Sequence, residues 1–177
     1  MTNSTALRAR FCIFDFTNSN DDDSKCIPDS VLEKKSGNVG SIFENNEDFL
    51  GEITISYDGV DTHFTDNLCA LVRNMCFRSI EQLIRKEKVK LMYFTTHGYI
   101  HLTPIDHEIH IMGDHFESVV VPYDNFIRSV FDLGKRFTAL FERAAIATAE
   151  NIHLIKLLKA DEKAAYIALE KLTKNNR

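Results

Sequence analysis

The chain has 177 residues, of which 44% are hydrophobic, and it carries a net charge of −5. This length suits one compact domain, and no apolar run approaches the ~18–20 residues that a membrane-spanning helix needs. The acidic balance argues against free nucleic acid as a ligand, because phosphate binding requires a clustered basic surface.

The acidity is concentrated in the N-terminal third. Residues 1–66 carry 13 acidic and 5 basic side chains, a net charge of −8, whereas residues 67–123 are neutral and residues 124–177 carry +3. A short strand, "FCIFDF" (Phe11–Phe16), precedes a Ser/Asn/Gly-rich acidic loop. This loop is either a solvated surface or a site that attracts a basic partner. Its candidate partner-binding residues are Asp21, Asp22, Asp23, Glu44, Glu47 and Asp48.

The four cysteines favour a cytoplasmic protein. Cys69 and Cys76 are seven residues apart on a predicted helix, roughly 10 Å in rise, which is too far for a disulfide. Cys12 and Cys26 can in principle meet, but nothing else indicates a secreted scaffold. The first apolar patch has no small-residue cleavage site behind it, so no signal peptide is predicted.

A β-hairpin and a helix follow the acidic loop. In "EITISY-DG-VDTHF", Asp58-Gly59 separates two alternating runs, the strongest short-range hairpin signal. The pattern places Ile53, Ile55 and Tyr57 on one face, opposite Val60, Thr62 and Phe64. Thr65 or Asp66 is then predicted to cap a helix that extends to Lys86. Its apolar stripe comprises Leu68, Leu71, Val72, Met75, Ile80, Leu83 and Ile84.

Four further strands are predicted to form a meander. A four-residue loop at Pro104–His107 places Leu102 opposite Ile109 and Ile100 opposite Ile111. A two-residue turn at Gly113-Asp114 places Ile111 opposite Phe116. Every inward position is then apolar, which supports this register. The predicted strands are Val89–Thr95, Tyr99–Thr103, Glu108–Met112 and His115–Val121.

The stretch "HGYIHLTPIDHEIHIMGDH" holds five of the seven histidines. In the predicted register His101 lies opposite His110, and His110 lies opposite Glu117, so the three form one row. Two histidines and a carboxylate can hold iron or zinc, but a metal site needs further side chains that orient its ligands, and none is identifiable here. We therefore predict no metal and no cofactor. His97, His107 and His115 fall in or beside turns, where solvated rings are usual.

The outer face of the meander is not a plain polar surface. Met92, Phe94, Tyr99 and Met112 are expected to share it with His101 and His110. Either the C-terminal helices fold over this face, or it is an exposed patch that marks a partner site. Covering is the favoured alternative, because an unfilled aromatic face is uncommon in a monomer. If the face is exposed, Phe94, Tyr99, His101, His110 and Glu117 are candidate partner-binding residues.

The remainder of the chain is predicted to be helical. Asp124 is the expected N-cap of a long amphipathic helix that tolerates Gly134 for close packing, and Asp161 is expected to cap the second of up to two further helices. The order predicts a single α+β domain in which an antiparallel sheet, hairpin plus four-strand meander, packs with a central amphipathic helix and C-terminal helices. Its parts are an N-terminal strand and acidic loop (1–52), a hairpin-helix-meander (53–122) and C-terminal helices (123–177).

The pattern of residues 55–137 resembles small bacterial immunity proteins. It is carried by "ISYDG", "FTDNLCALVRNMCFRSIEQL", "YFTTHGYIHL" and "IHIMGDHFESVVVPYDNFIRSVFDLGKRF". Such proteins accompany polymorphic toxins, including those of contact-dependent growth inhibition systems. The resemblance implies a cytoplasmic inhibitor that binds one cognate toxin domain, commonly a nuclease, and occludes its active site. It transfers no residue roles.

The sequence therefore predicts a toxin-neutralising immunity protein and not an enzyme, since no nucleophile-elbow, phosphate-loop, dinucleotide or zinc-protease motif occurs. The predicted partner is a basic toxin domain, with no membrane or nucleic-acid partner; a homo-oligomer is compatible with the sequence but is not predicted. One alternative is a small metal-dependent enzyme built on His101, His110 and Glu117. Another is a ligand-sensing or scaffold domain.

Overall fold

The computed structural model describes residues 6–15, 25–34, 40–44, 49–145 and 148–175. It confirms the α+β class, but the strands form two antiparallel sheets and not one. The N-terminal sheet has the order β2-β1-β3-β4, and the meander sheet has the order β5-β6-β7-β8. The strands are β1 Arg8–Asp15, β2 Lys25–Pro28, β3 Leu50–Tyr57, β4 Val60–Asn67, β5 Val89–Met92, β6 Tyr99–Ile105, β7 Glu108–Gly113 and β8 Phe116–Pro122.

The helices lie between and beside these sheets. The long helix α5 packs against β1, β7 and β8, and α6 packs against α4, α5 and a π-helix. The apolar face of α5 is buried from Phe126 to Phe141, as its sequence pattern predicts. The helical segments are α1 Asp29–Leu32, α2 Gly40–Glu44, α3 Leu68–Leu71, the π-helix Val72–Arg78, α4 Ser79–Ile84, α5 Tyr123–Ala144 and α6 Ala149–Asn175.

The predicted hairpin is confirmed. Asp58 (φ 50°) and Gly59 (φ 79°) occupy the left-handed region that a tight primed turn requires. Tyr57 pairs with Val60, and the buried Ile53 pairs with the buried Phe64. This half of the N-terminal sheet therefore follows directly from its turn chemistry and alternation.

Three predicted helix caps were wrong. Asn67, not Thr65 or Asp66, caps α3, since its Oδ1 accepts the Ala70 N–H at 2.9 Å. α5 begins at Tyr123 after Pro122, which leaves Asp124 inside the first turn. Asp161 lies within the continuous helix α6 and caps nothing.

The meander register also differs from the prediction. The turn between β6 and β7 is the two-residue Asp106-His107, so Leu102 lies opposite Ile111 and not Ile109. β6 therefore continues through Pro104. Val89, the first residue of β5, lies opposite Leu102, so Pro104 has no partner on β5 and its missing N–H removes no bond. Because side chains alternate with a period of two, this two-residue shift leaves the same residues inward. The inner side chains Val89, Leu91, Ile100, Leu102, Ile109, Ile111 and Val121 are all buried.

The second predicted turn was also displaced. The connection between β7 and β8 is Asp114-His115, with Gly113 opposite Phe116, where the prediction had placed Gly113-Asp114. A register irregularity between Ile111 and Gly113 then brings Ile111 opposite Val119 and not Phe116. The Phe116 ring makes an edge contact with Phe64, with centroids 4.9 Å apart, and so links the two sheets.

The π-helix explains how α6 is held. Arg73 and Arg78 both point Nε at Asp161 Oδ2, at 2.8 and 3.1 Å. On an α-helix, side chains five residues apart point in different directions. The wider i→i+5 turns of a π-helix bring such side chains to the same face. The wide turns thus place both cations on the face that receives α6.

Gly134 has the packing role that the sequence suggested. A Cβ at this position would lie 2.7 Å from two atoms of the Phe77 ring and 2.8 Å from the Cys76 Cβ. The absence of a side chain therefore sets how closely α5 approaches the π-helix.

Cys12 and Cys26 form a disulfide between β1 and β2, with Cα atoms 5.6 Å apart. Cys69 and Cys76 form no disulfide with each other, as predicted; both are also buried, and burial raises the pKa of the Cys69 thiol to about 12. Because disulfides persist mainly in oxidising compartments, the cysteines no longer argue for a reducing one. In the described part of the chain, no helix is both long and apolar enough to cross a membrane.

Candidate functional site

The candidate site is the outer side of the meander sheet together with the bend that follows β5. We call this surface the meander face. Its most exposed members are Phe94 (72% exposed), Met92 (68%) and Met112 (48%). The large hydrophobic side chains exposed here are Met92, Phe94, Tyr99, Ile105, Met112 and Val120, which account for six of the eleven such residues in the described chain.

The C-terminal helices do not cover this face, contrary to the favoured prediction. α5 packs against the inner side of β7 and β8, where Ile109, Ile111 and Val121 are buried. α6 packs against other helices. The aromatic and methionine side chains of the meander face are therefore exposed to solvent. A contiguous exposed apolar patch commonly marks an interaction site.

The N-terminal sheet shows what an ordinary solvated face looks like in this chain. On its outer side Glu52 contacts His63 Nδ1 at 2.8 Å and accepts the Thr54 hydroxyl at 3.0 Å. Arg10 lies 3.7 Å from Asp61 on the same side. The outer side of the N-terminal sheet thus exposes polar groups that bind one another, whereas the outer side of the meander sheet exposes large apolar side chains. This contrast singles out the meander face.

The predicted row of His101, His110 and Glu117 was wrong. His101 lies opposite Met112, and His110 lies opposite Thr103 on one strand and Val120 on the other. The carboxylate nearest His110 is Glu108, with Nε2 and Oε2 3.6 Å apart, and Glu117 is exposed on β8. Among the described residues no three His, Cys, Asp or Glu side chains converge as metal ligands. The geometry that would support the alternative of a metal-dependent enzyme is therefore missing from this sheet.

A buried carboxylate holds the bend that presents Phe94. Asp66 is only 1% exposed and accepts hydrogen bonds from the backbone N–H of Phe94, from the Thr95 N–H at 2.7 Å and from the Thr95 hydroxyl. The adjacent Tyr93 is buried, and burial raises its pKa to about 12, with a further contribution from Asp66. The exposed aromatic ring therefore projects from a rigid backbone, which reduces the entropy lost on binding.

The far side of the same bend is also fixed. Asp114 accepts the Tyr99 N–H at 2.8 Å, and His115 Nε2 lies 2.6 Å from the His97 carbonyl oxygen. Gly98 adopts a φ of 131°, and a Cβ there would meet the His115 ring. Residues 92–99 enclose a shallow concavity of about 330 Å³.

Cationic and aromatic groups adjoin the exposed methionines. The Lys90 Nζ lies 3.5 Å from the centroid of the Tyr99 ring, and the Tyr99 ring lies 6.3 Å from that of His101. Aromatic residues and methionine are enriched in protein interfaces, because they bury large area at modest entropic cost. The composition of the face suits a protein partner better than a small polar ligand.

The acidic candidates of the N-terminal third cannot be placed. Asp21, Asp22, Asp23, Glu47 and Asp48 lie outside the described residues, as does the side chain of Glu44. Of the predicted site residues, Phe94, Tyr99, His101 and His110 share the meander face. The sequence did not point to Asp66 as the residue that anchors this face.

Comparisons with models of protein families, with curated proteins and with solved structures find no match to the chain. The function is therefore argued from the site itself.

Proposed function

We propose that this protein is a binding protein whose meander face docks a protein partner, and that the partner is a bacterial toxin domain which it neutralises. The observation that carries the proposal is the exposed cluster of Met92, Phe94, Tyr99 and Met112 on the meander sheet and its adjoining bend. A monomer leaves such a cluster in water at a cost in solubility, which is recovered when a partner covers it.

The class of partner comes from the resemblance of residues 55–137 to immunity proteins. An immunity protein needs no catalytic group, only a rigid surface that blocks the toxin's active site. The bend held by Asp66 supplies rigidity at the point where Phe94 is exposed. A cytoplasmic location belongs to the same proposal. In that reducing compartment Cys12 and Cys26 would be thiols. Loss of this disulfide leaves the proposed site in place, because the disulfide joins two strands of the N-terminal sheet and the meander face belongs to the other sheet.

The net charge of −8 in residues 1–66 supports a basic partner, such as a nuclease. Replacing Asp21, Asp22, Asp23, Glu44, Glu47 and Asp48 by Asn or Gln is expected to slow association about 10-fold or more at low salt, with a smaller effect on dissociation. Stopped-flow measurements at two salt concentrations test this. An unchanged association rate would leave those acids no part in binding.

Co-purification with the product of the adjacent upstream gene tests the partner directly. The double variant Phe94→Ala with Met112→Ala is expected to weaken that complex by about 2 kcal/mol or more, because exposed aromatic anchors dominate interface energy. The matched control is Val60→Ala with Ile167→Ala, which removes exposed apolar side chains (55% and 44% exposed) outside the meander face. Equal affinity of both double variants, measured by calorimetry, would remove the meander face as the site.

A further inference from the structure

In the part of the chain that the structure describes, the β5 edge of the meander sheet has no neighbouring strand. Among the described strands β5 pairs with β6 alone, whereas β8, at the other edge, contacts β4 of the N-terminal sheet. An unpaired edge presents a row of backbone N–H and C=O groups to any strand that can lie beside it.

The register shows which backbone groups face outward. The Tyr93 N–H donates to the Gly98 carbonyl at 3.2 Å, and Leu91 lies opposite Ile100. Because hydrogen-bonded and non-hydrogen-bonded pairs alternate in an antiparallel ladder, the N–H and C=O groups of Lys90 and Met92 point away from β6. The next outward N–H, that of Phe94, is already bound by Asp66. The open edge is therefore two residues long and ends at a carboxylate.

A groove of about 340 Å³ adjoins this edge. Its walls are β5 with the start of the following bend on one side, and Asn74, Arg78 and Gln82 of the helical segment on the other. Arg78 meets Asp161 through Nε and keeps 53% of its side chain exposed, and Lys90 is exposed on the outer side of β5. Among the described residues, those that line the groove include two cations and no carboxylate.

From this arrangement we propose that β5 and the adjoining groove bind an extended acidic peptide segment of a partner protein by strand addition. The main chain of the segment pairs with Lys90 and Met92, and its side chains alternate between two environments. Those on the outer side meet Lys90 and Met92, which favours an acidic and an apolar residue spaced two apart. Those on the inner side meet the polar groups of Asn74, Arg78 and Gln82.

A second copy of this chain is disfavoured as the occupant. Two-fold pairing of β5 with itself brings both Lys90 side chains onto one face, and like charges on neighbouring strands are destabilising. A lysine on an edge strand is a common device against self-pairing. The same lysine attracts a carboxylate from a different chain.

The binding mode is tested with a peptide and is independent of the toxin proposed as partner. The probe is the peptide TETVTETVT, and its control is TKTVTKTVT. At a TETVTETVT concentration about ten times its Kd, amide exchange at Lys90 and Met92 is expected to slow about tenfold, as mass action requires. The amides of Val89 and Leu91 already face β6 and are expected to change little.

Two variants sharpen the test. Lys90→Glu is expected to weaken binding about threefold or more, whereas the exposed neighbour Lys88→Glu, outside the groove lining, is expected to have a smaller effect. Met92→Pro removes one outward N–H, and Met92→Ala retains it, so only the proline variant is expected to abolish binding. If Met92→Pro does not fold, the difference in peptide binding between Lys90→Glu and Lys88→Glu still tests the proposal. Unchanged exchange at both amides, or equal binding of the lysine peptide, would overturn the proposal.

Discussion

Replacing Asp66 by alanine should destabilise the fold and release the bend that presents Phe94. The substitution removes one acceptor and leaves three donors, two backbone N–H groups and the Thr95 hydroxyl, in a site where Asp66 is 1% exposed. A buried donor left without a partner costs about 1–3 kcal/mol. The hydroxyl can rotate and water can reach the N–H of the exposed Thr95, which leaves one donor without a partner, so the expected loss in free energy of unfolding is about 1–3 kcal/mol.

Asp61→Ala is the matched control, because it removes a carboxylate from the same strand. Asp61 is 47% exposed and lies 3.7 Å from Arg10, so its removal should cost less than about 0.5 kcal/mol. Urea unfolding followed by circular dichroism gives both free energies of unfolding. The dependence of the free energy on urea concentration should have the same slope for both variants, because both expose the same surface on unfolding. In Asp66→Ala, amide exchange at Phe94 and Thr95 should accelerate through local opening, by a larger factor than the global loss of stability produces at the core amides of Ile109 and Ile111. Equal stability of the two variants would refute the anchoring role of Asp66.

Three further predictions concern stability. Gly134→Ala should lower the free energy of unfolding by about 1–2 kcal/mol in urea titrations, because the clash with Phe77 outweighs the better helix propensity of alanine; a stabilised variant would contradict the close packing. Reduction of the disulfide should lower the free energy of unfolding by up to about 3 kcal/mol, because the bond closes a loop with a sequence separation of 14. The stability of a double alanine variant of Cys12 and Cys26 should not depend on reductant. The pKa of Tyr93 is higher in the folded state, about 12, than in the unfolded state. The neutral phenol therefore contributes fully to the free energy of unfolding below pH 10, and this contribution is lost as pH rises toward about 12. In urea titrations at alkaline pH, Tyr93→Phe should lose less stability than the unmodified protein.

The inward faces of β5, β6 and β7 could be predicted from sequence, although the register could not. The face of β8 was predicted wrongly: Glu117 was placed beside His110 on the outer side, and Val121 with it by alternation, whereas Val121 is buried on the inner side. Apolar residues alternate along β6 and β7, and alternation assigns a face whichever residues lie opposite. The register depends on which residues make the turn. Pro104 suggested a loop, but the fold tolerates it within β6 because β5 does not extend alongside that position. The predicted pairing of His101 with His110 failed for this reason. The pairing of His110 with Glu117 failed because the turn between β7 and β8 is displaced and its register is irregular.

Carboxylates were harder to interpret than apolar residues. Asp66, Asp124 and Asp161 each precede or lie within a helical pattern, and a helix cap is the usual local role for such a side chain. Asp66 instead binds a bend 28 residues away, and Asp161 binds two arginines of the π-helix. Local sequence carries no information about partners at that separation. The widened turn that aligns Arg73 with Arg78 has no sequence signature of its own.

The sequence by itself determined the elements whose causes are local: the Asp58-Gly59 hairpin, the amphipathic face of α5 and the apolar inner sides of β3 to β7. Turn geometry and side-chain periodicity act over a few residues, so they can be read without the fold. Only the tertiary structure decided that the strands divide into two sheets, that α6 packs on helices, and that Met92 and Phe94 therefore remain exposed. Those outcomes depend on which of several apolar surfaces bury each other, and that competition is settled by the packing of the whole chain.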